Sequence, residues 1–186
     1  VPRGRMLKLV AILVDGVIYA SWLFVVASGL TLVYGVMRIL NLAHGSLYAI
    51  GAYAAASAIG WYFNAGYPPA GSYFLLLGCA LLAGAATGLA IERGVLRLMY
   101  GRDEVVMILV TYAVLLVLED AIKLVWGVES YSAYQPYQML GRLQFGPITF
   151  ANYDLALVAV SLVLAFAMWW GLNRTRHGKL LLAVIH

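Results

Sequence analysis

The sequence has few charged residues. Only 11% of its 186 residues are Asp, Glu, Lys or Arg, whereas 64% are apolar, and the mean hydropathy is +0.90. Soluble domains carry about 25% charged residues, so there are too few charges here to cover a folded surface in water. A soluble globular protein is therefore excluded, and lipid must solvate much of the surface.

Cysteine is almost absent as well. Cys79 is the only one, which excludes an internal disulfide and a cysteine-based metal site. His44 has no other histidine, cysteine or acid spaced to complete a metal site, so no metal is expected. The sequence also lacks the G-x-x-x-x-G-K-[ST] loop that holds phosphates in ATPases. The chain is therefore predicted to hydrolyse no ATP by itself.

Long apolar runs, separated by short polar breaks, make up most of the chain. Because a membrane-spanning helix needs about 20 apolar residues, they predict an all-α, polytopic transmembrane helical bundle with about five spans. The runs lie approximately at residues 9–37, 46–63, 72–96, 105–126 and 153–172. The first is too long for one straight helix that ends at a single interface. Residues 1–5 resemble the remnant of an expression tag, so the transmembrane domain is expected over residues 6–172.

Two of the runs contain small residues at helical spacing. Gly84 and Gly88 form a small-xxx-small pattern in the third run, and the second run has a similar face at Gly51, Ala52, Ala55 and Ala56. Helices in lipid associate through close backbone approach, which small residues permit. Two such patterns in adjacent runs favour a compact helical bundle.

Basic residues predict the orientation of the chain. If the loop with Arg93, Arg97 and Arg102 is cytoplasmic, alternation places Arg38 and the basic tail on the same side. The opposite, outer loops at residues 64–71 and 127–152 hold Arg142 as their only basic residue. Since cytoplasmic loops carry the excess of Lys and Arg, the N-terminus is predicted to lie outside.

The segment from Arg38 to Gly45 combines an Arg, an Asn and a His with almost no connecting loop. If it lies within the bilayer, the first helix is broken there and the polar groups face protein or a water-filled cavity. Broken helices of transporters present backbone amides to such a cavity. The alternative is a tight turn at the cytoplasmic surface. On the first interpretation, the substrate pathway includes Asn41, His44, Gly45 and Ser46.

Charged residues also occur in the fourth run. Glu119 and Lys123 are four residues apart and can pair on one helix face, and Asp120 is adjacent. A structural ion pair near the outer end of this span is favoured over a substrate contact.

Three segments resemble a known family. They are Gly29–Gly45 continuing to Gly51-Ala52-Tyr53, then Glu92-Arg93 with Arg97 and Gly101-Arg102-Asp103, and finally Thr175-Arg176-His177-Gly178-Lys179 with Ala183-Val184. In this order they resemble the permease subunits of branched-chain amino-acid ABC importers, on the shorter-permease side of the heteromeric pair. Leu42 stands where the family usually has Phe. Family members have about eight spans, so the chain is expected to be the N-terminal two-thirds of such a permease.

The resemblance implies a transport subunit in the bacterial inner membrane that moves branched-chain or related amino acids into the cytoplasm. It implies a second permease subunit, two cytoplasmic ATPases that bind ATP and Mg, and an extracytoplasmic binding protein as partners. Residues 173–186 are expected to begin the segment that docks on the ATPase. Within that segment, the docking residues implied by the family match are Thr175, Arg176, Gly178, Lys179 and Ala183.

Two other function classes compete with this prediction. A membrane-embedded enzyme needs a nucleophile beside a base, but His44 and Ser46 point in different directions on a helix and no G-x-S-x-G elbow occurs. An enzyme is therefore not expected. A channel or ion-coupled secondary transporter for a small polar solute is the alternative. Such transporters use intramembrane acids, which the centres of spans two, three and five lack.

Overall fold

The structure, a computed structural model, describes residues 2–37, 40–129, 133–145, 148–175 and 178. Its helices are α1 (Pro2–Met37), α2 (His44–Asn64), α3 (Ser72–Ile91), α4 (Arg97–Met99), α5 (Glu104–Trp126), α6 (Tyr134–Met139) and α7 (Asn152–Arg174). A 3-10 turn, Pro69–Gly71, precedes α3, and a π-helical turn, Glu92–Leu96, joins α3 to α4. The strands are β1 (Arg142–Phe145) and β2 (Ile148–Ala151). The predicted all-α class is confirmed, and the first apolar run forms one continuous helix.

Within the described chain, four segments are long and apolar enough to cross a membrane, where about five were predicted. They are Arg5–Gly35, Pro69–Met99, Glu104–Trp126 and Asn152–Arg174. The second apolar run does fold as helix α2, over 21 residues. Its Tyr, Gly and Ser residues interrupt the apolar sequence, and α2 is not among the four segments, so the predicted span count was one too high.

Residues 37–136 form one compact unit, in which α2 packs against both α3 and α5. Gly51, Ala55 and Ile59 are buried along one face of α2. A Cβ atom at Gly51 would stand only 3.3 Å from the carbonyl oxygen of Ala80 in α3. Gly51 and Ala55 of the small face predicted in the second run therefore lie in the contact, whereas Ala52 of that face is exposed.

The small-residue pattern of the third run is not used in that contact. A Cβ atom added at Gly84 or Gly88 would meet no neighbouring atom within 4 Å in the described part of the chain. These two glycines thus leave an open groove on α3.

Aromatic side chains stabilise the segment that connects α2 to α3. The Tyr62 hydroxyl donates a hydrogen bond to the carbonyl oxygen of Pro68 at 2.8 Å, and its ring packs on Tyr67. A Cβ atom at Gly71 would collide with the same hydroxyl, so a larger residue there would displace the Tyr62 side chain. The hydroxyl of Tyr73 donates to the carbonyl oxygen of Pro136 at 2.8 Å, which fixes the start of α6 beside this connection.

The other compact unit comprises residues 1–36 and 137–186, with α1, the strands and α7. The strands pair antiparallel, with Leu143 opposite Phe150 and Gln144 opposite Thr149. Asn152 starts α7 and ties it to the hairpin, because its side-chain amide donates to the carbonyl oxygen of Leu140 at 2.7 Å. This hairpin was not predicted, since the segment was interpreted as an outer loop.

Candidate functional site

The helix break predicted after the first run is present. Helix α1 ends at Met37 and α2 begins at His44, and the described residues between them are not helical. Asn41 shapes the turn: its side-chain oxygen accepts a hydrogen bond from the backbone N–H of Ala43 at 3.0 Å, and its carbonyl oxygen accepts one from the N–H of His44 at 3.2 Å. Such Asx turns let a chain change direction over few residues. Arg38, which belongs to the predicted break, lies outside the described residues.

Thr111 of α5 anchors this break. Its side chain is fully buried, and its hydroxyl lies 3.2 Å from the carbonyl oxygen of Leu40 and 3.0 Å from that of Ile108. Because Leu40 lies outside any helix, this hydroxyl supplies a donor to a carbonyl that the broken helix cannot satisfy. Thr111 was not predicted from the sequence, although a threonine hydroxyl in an apolar run was the available signal.

The contact with Thr111 sets the depth of the break. Thr111 lies seven residues after Glu104, the first residue of α5. At about 1.5 Å per residue, the break is level with a point about 10 Å from the N-terminal end of α5. Helix α5 has 23 residues, about 34 Å, which matches a hydrocarbon core of about 30 Å. This depth favours the intramembrane alternative over a turn at the surface.

The start of α2 presents polar groups at this depth. His44 and Ser46 are half-buried and Gly45 is exposed. No side chain caps the N-terminus of α2 among the residues that the structure describes. Helix N-termini carry free N–H groups and a partial positive charge, so this end is suited to an anionic group such as a carboxylate.

A second polar contact aligns α5 with α2. The indole N–H of Trp126 donates to the hydroxyl oxygen of Ser57 at 2.7 Å, and its ring packs on Tyr53 with centroids 5.4 Å apart. The Thr111 contact and the Trp126 contact are separated by similar lengths of both helices. Helix α2 rises about 21 Å from Ala43 to Ser57, and α5 rises about 22 Å from Thr111 to Trp126. The two helices therefore run side by side in the same direction.

The ion pair predicted in the fourth run is confirmed. The ammonium group of Lys123 lies 2.8 Å from the carboxylate of Glu119 and 3.6 Å from that of Asp120. All three side chains are exposed on the surface of this chain, which leaves them accessible to other molecules.

The π-helical turn after α3 contains a further polar contact. The hydroxyl of Tyr100 lies 2.7 Å and 2.6 Å from the two carboxylate oxygens of Glu92, to which it donates. Partial burial, this hydrogen bond and the carboxylate charge raise the pKa of Tyr100 from 10.0 to about 12. The contact holds Tyr100, in the loop that precedes α5, against Glu92 at the end of α3.

Two of the five predicted docking residues lie in the described chain. The Thr175 hydroxyl donates to the carbonyl oxygen of Gly171 at 2.6 Å and accepts from the N–H of Gly178 at 3.0 Å, which ends α7. A Cβ atom at Gly178 would collide with the backbone of Gly171 and Leu172. The remaining three lie outside the described residues: Arg176, Lys179 and Ala183.

Comparison with known proteins gives two matches. The family described as branched-chain amino acid transport system / permease component matches residues 12–186. The high-affinity branched-chain amino acid transport system permease protein BraD of Pseudomonas aeruginosa is 25% identical over 173 residues, 90% of this chain and 56% of the relative. The chain thus spans just over half the length of that relative, and no solved structure matches. Because the family match covers nearly the whole chain, this multi-pass membrane protein belongs to the permease components of branched-chain amino acid transport systems.

Proposed function

We propose that the chain is the transmembrane permease subunit of an ABC importer that moves branched-chain or related amino acids into the cytoplasm. The observation that carries the proposal is the helix break, which Thr111 holds about 10 Å from the N-terminal end of α5. Family membership supports the same function.

The break gives the permease a place to hold the polar end of its substrate. Backbone amides at the start of α2 attract the carboxylate, and the half-buried imidazole of His44 and hydroxyl of Ser46 lie beside them. The side-chain oxygen of Asn41 is already used in the turn. Asn41 therefore positions the amides, and its NH₂ group remains as a donor to the substrate.

The energy for transport comes from other subunits in this proposal. Two cytoplasmic ATPases bind ATP and Mg and dock on the segment that begins at Thr175 and includes Arg176, Gly178, Lys179 and Ala183. A second permease subunit completes the path, and an extracytoplasmic binding protein delivers the amino acid. The assembly lies in the bacterial inner membrane with the N-terminus of this chain outside.

Variants of the break test the proposal in the permease at its natural length, reconstituted with its partners. The Asn41→Ala/His44→Ala double variant is expected to abolish ATP-driven leucine uptake while the ATPases still co-purify. The Asn41→Asp variant keeps the oxygen that accepts from Ala43 but replaces the NH₂ donor with a negative charge. It is expected to assemble normally and to lose uptake as well, because its charge repels the substrate carboxylate.

Uptake is to be measured with an ionophore present, which removes any contribution from ion gradients. Unchanged uptake in the double variant would remove these residues from the pathway. Uptake that needs an ion gradient rather than ATP would instead support the secondary-transporter alternative.

A further inference from the structure

The segment of residues 92–103 joins two helices at the same surface of the membrane. Helix α3, Ser72–Ile91, has 20 residues, about 30 Å, which equals the thickness of the hydrocarbon core. It contains no charged residue, and the first charges after it are Glu92 and Arg93. Helix α5 begins at Glu104, directly after the segment. Residues 92–103 therefore lie at the level of the lipid headgroups.

Arg93 and Arg97 are two exposed cations of this segment. They are four residues apart in the continuous helical stretch that the π-helical turn forms with α4, so they lie on the same face of it. Among the residues that the structure describes, every ion pair involves Lys123, so neither guanidinium group has a carboxylate partner within the chain. Guanidinium groups bind the oxygen atoms of phosphates through paired N–H donors.

The carboxylates of the same region have other stabilising contacts. The hydroxyl of Tyr100 lies 2.7 Å and 2.6 Å from the two carboxylate oxygens of Glu92, to which it donates. Asp103 and Glu104 stand at the N-terminal end of α5, where the helix dipole favours negative charge. These acids are therefore stabilised without Arg93 and Arg97, which leaves the two guanidinium groups for an anion from outside the chain.

Apolar side chains are exposed beside the two arginines. Leu98 is 68% exposed, and Tyr100 is 42% exposed. Segments that lie in the headgroup layer combine basic residues with apolar residues that reach the acyl chains. Because this segment is at headgroup level, a lipid satisfies both its charges and its exposed leucine, whereas free phosphate would satisfy only the charges.

We propose that Arg93 and Arg97 bind the phosphate group of an anionic phospholipid, with Leu98 against its acyl chains. The guanidinium N–H groups donate to the phosphate oxygens, and the negative charge of the lipid complements the two cations. Arg102, in the same segment, adds to the attraction. The inference rests on the proposed orientation, in which this segment belongs to the cytoplasmic leaflet, and is independent of the solute that is transported.

A lipid titration tests the proposal in the permease at its natural length, purified in detergent. Phosphatidylglycerol is the probe, phosphatidylcholine and inorganic phosphate are the comparisons, and the midpoint of thermal unfolding is recorded at each concentration. The variant is Arg93→Gln/Arg97→Gln. Arg142→Gln is the matched control, because Arg142 is also exposed but lies in the hairpin before α7.

Phosphatidylglycerol is expected to raise the midpoint of the unaltered protein and of Arg142→Gln, because a ligand that binds only the folded state stabilises it. The double variant is expected to need about 30-fold more of it for the same rise, since each arginine near an anionic lipid contributes about a factor of five. The same rise with inorganic phosphate or phosphatidylcholine, or equal titrations of the double variant and the control, would overturn the proposal.

The cytoplasmic ATPase is the competing occupant of this surface. Its co-purification with the double variant is therefore measured alongside the lipid titration, and we expect it to be unchanged. Loss of the ATPase from the double variant, together with an unaltered response to phosphatidylglycerol, would assign the two arginines to the ATPase and overturn the lipid proposal.

Discussion

The buried hydroxyl of Thr111 is the side chain that connects the helix break to a membrane-crossing helix. It supplies a hydrogen-bond donor to the carbonyl oxygen of Leu40, which lies outside any helix. An unsatisfied buried carbonyl is destabilising by about 1–3 kcal/mol. The break is therefore a structural element with its own support and not an unstructured connection.

The Thr111→Val variant keeps the shape of the side chain but removes the hydroxyl. We expect it to lower stability by about 1–3 kcal/mol, measured as a lower midpoint of thermal unfolding in detergent. Thr31→Val is the matched control, because the Thr31 hydroxyl is exposed and bonds to the carbonyl of Ala27 in its own helix. Equal midpoints for the two variants would contradict the anchoring role of Thr111.

The contact between Tyr100 and Glu92 gives a prediction about pH. Partial burial and the adjacent carboxylate favour the protonated phenol, so the pKa of Tyr100 is about 12 instead of 10.0. The stabilising contact is therefore present at pH values below 10 and is lost as the pH rises through about 12.

Tyrosinate absorbance measures this shift. The difference between the titrations of the unaltered protein and the Tyr100→Phe variant is expected to show one group with a pKa of about 12. The Glu92→Gln variant removes the carboxylate charge and should lower the pKa of Tyr100 toward 10.0. A difference titration centred at pH 10 in the unaltered protein would contradict the contact.

At the scale of the elements, the approach of α2 to α3 depends on Gly51. Replacing a helical glycine by alanine normally gains about 1 kcal/mol, because alanine has the higher helix propensity. At Gly51 the added Cβ atom would stand 3.3 Å from the carbonyl oxygen of Ala80, whereas at Gly84 it would meet open space.

We therefore expect Gly84→Ala to raise the midpoint of thermal unfolding and Gly51→Ala to leave it unchanged or lower it. The two substitutions are chemically identical and both lie within helices, so the comparison isolates the contact between α2 and α3. A larger gain from Gly51→Ala than from Gly84→Ala would show that these helices are not packed as described.

The helices were predictable from the sequence because long apolar runs in a chain with so few charges leave little alternative to membrane-spanning helices. The break was predictable because Asn41 and His44 interrupt such a run. The hairpin was missed since its strands have only four residues each, too few for a clear alternation of apolar and polar positions. The side-by-side alignment of α5 with α2 was also missed, because it depends on the contact of Trp126 with Ser57.

At the candidate site, sequence reasoning identified the residue types but not their partners. It located the polar residues of the break, yet the support from Thr111 comes from a segment 71 residues away along the chain. It predicted the ion pair of Glu119 with Lys123, because residues four apart on a helix are neighbours.

At the scale of the whole molecule, this permease component has polar groups at two positions along α5. One is the break at the start of α2, beside Thr111, and the other is the ion pair of Lys123 with Glu119 and Asp120. Both are carried by the unit of residues 37–136, in which α2 is the common packing partner.

The central claim is that such a permease converts ATP hydrolysis by its partners into amino-acid import. The most direct measurement is the ATPase activity of the assembled transporter, formed with the permease at its natural length, with and without binding protein loaded with leucine. We predict that the loaded binding protein stimulates hydrolysis and that unloaded protein does so less. An assembly whose ATPase activity no amino-acid-loaded binding protein changes, or a permease with which no ATPase associates, would contradict the claim.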